Sequence, residues 1–99
     1  MEAKQFFTTE DGKIISSLYF YNVKLPSRHL GVIEEVFTDT AHRKKGHATK
    51  LILEAIEYAK TIGCDCVELT VRQDRPEIQT FYKSLGFTDR LNLAYRKLL

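Results

Sequence analysis

The sequence predicts a mixed α/β fold, antiparallel strands first and a strand-helix-strand crossover after them. Three observations carry that expectation. Residues 4–9 and 13–22 are rich in aromatic, β-branched and other apolar side chains, and Glu10-Asp11-Gly12 between them supplies an Asp-Gly hairpin signal. From Gly46 the apolar period changes to that of a helix. Residues 64–71 then read as a buried strand.

Each element has a local cause. Pro26 and Ser27 break the chain after the hairpin, and residues 31–38 form a third strand. Alternation assigns Val32, Glu34, Val36 and Thr38 to one face of it, and Ile33, Glu35 and Phe37 to the other. Ala48, Leu51, Ile52, Ala55, Ile56, Ala59 and Ile62 make the apolar stripe of the first helix, which Gly63 ends. Pro76 suits the first turn of a second helix, with Ile78, Phe81, Tyr82 and Leu85 as its stripe and Gly86 as its stop. Residues 91–98 alternate as a final strand. The unit over residues 31–71 implies a parallel crossover on an otherwise antiparallel sheet.

Ninety-nine residues, 43% hydrophobic and 28% charged, fit one domain over residues 1–99. A domain this short hides only about 60 to 65% of its unfolded surface, so its stability margin is expected to be modest. A net charge of +2 is too small for the concentrated basic face that nucleic acid needs, so no nucleic acid partner is expected. Residues 1–10 lack a signal-peptide pattern, and no run approaches the ~18 apolar residues of a membrane helix. A cytoplasmic location without membrane attachment is the expectation. Cys64 and Cys66 are expected to be free thiols in a reducing compartment. With His29, His42 and His47 they show no ligand spacing, so no metal is expected.

The chemically suggestive stretch is His42-Arg43-Lys44-Lys45-Gly46-His47-Ala48-Thr49, at the junction between the third strand and the first helix. Unpaired backbone N–H groups and the positive end of a helix dipole converge at such a junction, which favours an anion. Gly46 lets backbone approach a ligand and Ala48 keeps the next contact small. The plain alternative is a solvated loop with a glycine before a helix.

The string R-x-x-G-x-A, formed by Arg43, Gly46 and Ala48, gains force from its context. The strand 33–38 leads in, the amphipathic helix leads out, and Phe81-Tyr82-Lys83-Ser84-Leu85-Gly86-Phe87 follows one strand later. Together these residues resemble the GNAT N-acetyltransferase superfamily, closely over residues 31–87. In that family V-x-P-x-x-R/Q-x-x-G-x-G/A marks the pyrophosphate loop for acetyl-coenzyme A. Thr38 and Thr40 stand here where valine and proline are usual, and Arg75 stands where a second family pattern has asparagine.

The resemblance implies acetyl-coenzyme A as cosubstrate, no metal, and direct transfer of the acetyl group to an amine acceptor. It implies coenzyme contacts at Val36, Phe37, Thr38, Arg43, Lys44, Lys45, Gly46, His47, Ala48, Thr49, Arg75 and Tyr82. Backbone N–H groups around residues 36–38 would hold the thioester carbonyl. Tyr82 is the candidate to protonate the departing thiolate, and Glu34, placed by alternation on the face of Thr38, the candidate general base. Both also have structural readings, Tyr82 as a core aromatic and Glu34 as a solvated strand carboxylate. A coenzyme-binding or interaction module without catalysis is the alternative function. Only a hairpin precedes the third strand where the family usually has a strand and two helices. An open acceptor groove is therefore expected, covered by a second copy in a homodimer or by a large acceptor.

Overall fold

A computed structural model describes residues 2–99. Strands β1 (Glu2–Glu10), β2 (Lys13–Lys24) and β3 (His29–Thr38) run antiparallel in sequence order. Asp11 and Gly12, both left-handed at φ 53° and 76°, make the tight β1–β2 turn. A 3₁₀ turn (Thr40–His42) and a short loop lead into α1 (His47–Thr61). Strand β4 (Cys66–Glu68) then pairs parallel to β3, completing the order β1-β2-β3-β4, and α2 (Pro76–Ser84) follows.

The core lies between one face of the sheet and α1. Leu18, Phe20 and Ile33 project from the sheet onto Leu51, Ile52, Ala55 and Ala59 of the helix, all at most 2% exposed. Phe6, Phe20 and Tyr58 close one end edge-to-face, with centroids 5.4 to 6.4 Å apart. Gly31 makes this possible, because a Cβ there would run into the Phe20 ring. At the end of α1, Gly63 is left-handed and the Cys64 N–H reaches back to the Ala59 carbonyl, which turns the chain toward β4.

Three expectations are corrected. The strand over residues 64–71 is regular only at Cys66–Glu68, because its ladder with β3 ends at the Val32–Glu68 pair. Residues 91–98 form no strand: Leu91, Leu93, Tyr95 and Leu98 are 74 to 89% exposed, and alternation without a partner ladder does not make a sheet. The third correction concerns the faces of β3. Tyr19 pairs with Glu34 but Ser17 pairs with Phe37, so β3 carries one extra residue. Glu35 sits in this β-bulge at φ 54°. The bulge reverses the alternation: Thr38 lies on the core face beside Ser16, and Glu34 and Phe37 lie on the opposite face.

Candidate active site

Beyond Val32 and Glu68 the two parallel strands part, and a groove of about 230 Å³ opens between them. Residues Ile33, Glu34, Glu35 and Val36 form one wall, Leu69, Thr70, Val71 and Arg72 the second, and Arg75, Ile78 and Tyr82 of the α2 segment the third. The bulge at Glu35 bends the first wall. The second is tied to α2 by Gln79, whose Nε2 donates to the carbonyls of Arg72 at 3.2 Å and Gln73 at 3.0 Å. Openings at the carboxyl ends of parallel strands are the usual ligand positions of α/β sheets.

Charge is divided unevenly around this groove. Arg72 holds Asp74 through both Nε and an Nη atom, at 3.0 and 2.7 Å, and Arg75 Nε donates to Glu77 at 3.2 Å. The backbone N–H of Glu77 and then Arg75 hold the Glu77 carboxyl below the ordinary carboxylate range. Among the described residues Glu34 and Glu35 form no ion pair.

Tyr82 is half-buried. Its ring packs edge-on against Phe81 and Phe87, at 5.1 and 5.7 Å, and touches the core cluster. Burial pushes its phenol above the ordinary tyrosine value. Tyr82 thus both packs against the core and lines the groove.

The second part of the site is the entry to α1. Lys44 and Gly46 are left-handed at φ 61° and 82°, and no side chain caps the helix. The Lys50 N–H takes the Gly46 carbonyl at 3.0 Å, so the N–H groups at His47, Ala48 and Thr49 have no acceptor within the helix. Arg43 Nε donates to the Thr38 carbonyl at 3.2 Å, while Lys44 and Lys45 are exposed beside the helix start.

Of the residues expected at the site, Glu34, Val36, Arg75 and Tyr82 meet in the groove, and residues 43–49 gather at the α1 entry. Phe37 and Thr38 line none of the three walls. Phe37 is 49% exposed on the face away from α1, and Thr38 Oγ1 is bonded to Ser16 on the core face. Sequence reasoning missed Glu35, Arg72 and the apolar lining from Leu69, Val71 and Ile78. Their signal is the place where the parallel ladder stops, which no pattern in residues 64–71 marks. The described residues hold no cluster of three or more metal-ligating side chains and no helix long and apolar enough to cross a membrane. Cys64 and Cys66 are free thiols, and burial, then the neighbouring Cys66 and Asp65, push the Cys64 thiol up.

The family model described as the acetyltransferase (GNAT) family matches residues 2–87. An uncharacterised N-acetyltransferase of Methanocaldococcus jannaschii is 41% identical over 66 residues, which are 67% of this chain and 29% of that protein. Among solved structures, a proposed acetyltransferase of Agrobacterium tumefaciens C58 superposes with a TM-score of 0.87 at 28% identity, covering 96% of this chain and 69% of that one. AAC(6′)-Iy, in complex with the bisubstrate analogue CoA-S-monomethyl-acetylneamine, superposes with a TM-score of 0.83 at 20% identity, over 98% of this chain and 70% of that one, which is a likeness of fold.

Proposed function

We propose that this chain, which belongs to the acetyltransferase (GNAT) family, binds acetyl-coenzyme A and passes the acetyl group directly to an amine. The observation that carries this reading is the uncapped, glycine-led entry to α1 with its basic loop, which follows in the chain from the strand β3 whose residues 33–36 wall the groove and is tied to the end of that strand by Arg43 on the Thr38 carbonyl. In this reading the N–H groups of residues 46–49, with Arg43, Lys44 and Lys45, receive the pyrophosphate. Val36 and the neighbouring backbone, together with Arg75 and Tyr82, flank the arm that carries the thioester. The bisubstrate ligand of AAC(6′)-Iy is of the kind this reading expects.

The reaction asks for little proton machinery. Glu34 takes the amine proton, directly or through water, as the nitrogen attacks the thioester carbon. Backbone N–H groups near residues 36–38 stabilise the charge that develops on the carbonyl oxygen. Tyr82 donates its phenolic proton to the sulfur as the carbon–sulfur bond breaks.

The test is calorimetric titration with acetyl-coenzyme A, followed by thiol release over a panel of amines. Binding with turnover supports the whole reading, and in that case Glu34→Gln is expected to lower kcat by roughly 10²- to 10⁴-fold, the usual range for loss of a general base. Binding with no turnover on any amine reduces the chain to a coenzyme-binding module. Absence of binding refutes the proposal.

A further inference from the structure

One side-chain bridge outside the groove joins elements far apart in the chain. His42, in the 3₁₀ turn, places Nδ1 3.0 Å from Asp39 Oδ2 and Nε2 3.0 Å from Glu10 Oε2. Glu10 ends β1 and Asp39 follows β3 directly. Each ring nitrogen of His42 thus meets a carboxylate oxygen at hydrogen-bonding distance, one from each of two elements. The hydrogen bond from His42 is the first cause holding the Asp39 carboxyl below its ordinary range, and Lys13 adds to it. The same turn is pinned through backbone, with Asp39 N–H on the Ile15 carbonyl at 2.7 Å and His42 N–H on the Asp39 carbonyl at 2.8 Å.

Directly after His42 come Arg43 to Gly46, a loop with two left-handed residues that starts a helix lacking a side-chain cap. The His47 ring lies beside the His42 ring, with centroids 6.2 Å apart. A bridge this exposed adds little to global stability. Where it acts is on geometry, because it fixes the root of the loop whose N–H groups must converge on a ligand, and small misplacements of such groups are costly.

We propose that His42 is a positioning residue for coenzyme binding: its bridge from Asp39 to Glu10 holds the loop over residues 43–46, and with it the N–H groups that open α1, in the receiving geometry. This role rests on the coenzyme reading above, and it requires neither His42 nor Glu10 to touch the coenzyme. Glutamine at position 42 cannot meet two carboxylates from opposite ends of a ring, and glutamine at position 10 keeps an acceptor oxygen but removes the charge that strengthens that end of the bridge.

The experiment compares the parent chain with His42→Gln, Glu10→Gln and the double variant. It reads the dissociation constant for acetyl-coenzyme A by calorimetry, kcat at saturating acetyl-coenzyme A, and amide hydrogen exchange of the ligand-free protein. Each single variant is expected to weaken acetyl-coenzyme A by roughly threefold to tenfold. The double variant should lose no more than His42→Gln alone, since one bridge is broken either way. Exchange at residues 43–49 should quicken while kcat is kept. Parent-like affinity in both single variants, or losses that multiply in the double, overturns the positioning role. Should His42→Gln fail to fold, Glu10→Gln carries the same comparison from a side chain that is 57% exposed. A parent that does not bind acetyl-coenzyme A refutes the coenzyme reading and this role with it, whereas binding by a parent matched by its variants refutes this role alone.

Discussion

Ser16 and Thr38 share a hydrogen bond, Oγ to Oγ1 at 3.0 Å, on the face of the sheet that carries Leu18, Phe20 and Ile33. Glu34, four positions earlier on the same strand, points the other way with Tyr19. An even spacing would place Glu34 and Thr38 on one face, and the bulge at Glu35 undoes that rule. The bulge thus decides which side chains of β3 belong to the core and which to the groove.

Glu35 holds a left-handed backbone that costs a residue with a Cβ about 1 to 2 kcal/mol. Glycine at this position should match or exceed the parent in thermal stability. Valine, branched at Cβ, should destabilise by about 1 to 2 kcal/mol. Melting curves of Glu35→Gly and Glu35→Val check this, and a valine variant as stable as the parent would mean that the bulge is absent or placed elsewhere.

Gly46 has open space where a Cβ would sit, so substitution there meets backbone strain at φ 82° and no steric clash. Gly46→Ala should cost about 1 kcal/mol of stability and only part of the coenzyme affinity. Gly46→Asp adds a carboxylate at the mouth of the N–H cluster. It should abolish measurable acetyl-coenzyme A binding while the protein stays folded. Calorimetry paired with circular dichroism separates the two effects, and parent-like binding by folded Gly46→Asp would remove the loop from the site.

Gly31 is the opposite case. It has an ordinary negative φ, yet a methyl group would enter the Phe20 ring, and that ring is wedged between Phe6 and Tyr58. Gly31→Ala should therefore destabilise by about 1 to 3 kcal/mol, the range for overpacked cores. Pairing it with Phe20→Leu should recover part of the loss. Denaturant midpoints of the two single variants and the double check the coupling, and additive losses would show that the two residues do not compete for one space.

Sequence periodicity located α1 to within one residue at each end, because its stripe of Leu51, Ile52, Ala55 and Ala59 is the side of a helix buried on a sheet. The Asp-Gly turn and the glycine stops were legible for the same local reason. What could not be read is what depends on partners distant in the chain. A bulge is a mismatch between two strands, so nothing in residues 33–38 alone announces it. The groove is likewise the place where β3 and β4 stop pairing. The tail shows the converse error: residues 91–98 alternate correctly, but the alternation has no ladder to join.

That tail gives a prediction of its own. Leu91, Leu93, Tyr95, Leu98 and Leu99 are 74 to 116% exposed, so removing residues 91–99 should change unfolding free energy by no more than about 0.5 kcal/mol. Arg90, which reaches Glu68 at 3.2 Å, is kept in this truncation. A loss well above that figure in urea unfolding would show that the segment packs on the fold in solution.

Tyr82 combines two roles that one substitution can separate. Its ring packs between Phe81 and Phe87, so Tyr82→Phe keeps the packing and removes only the hydroxyl. Stability should stay within about 0.5 kcal/mol of the parent. Burial raises the phenol's pKa, which keeps the proton in place through neutral and mildly alkaline pH. The sign follows for the rate: a donor that stays protonated gives no falling limb between roughly pH 6 and 9. With amine acceptors, Tyr82→Phe should lower kcat by a factor constant across that window, roughly 10²- to 10⁴-fold, the usual range for loss of a general acid. Acetyl-coenzyme A affinity should move far less. A parent-like kcat, with chemistry shown to limit turnover by a single-turnover experiment, would leave Tyr82 as a packing residue, and the sulfur would then take its proton from water.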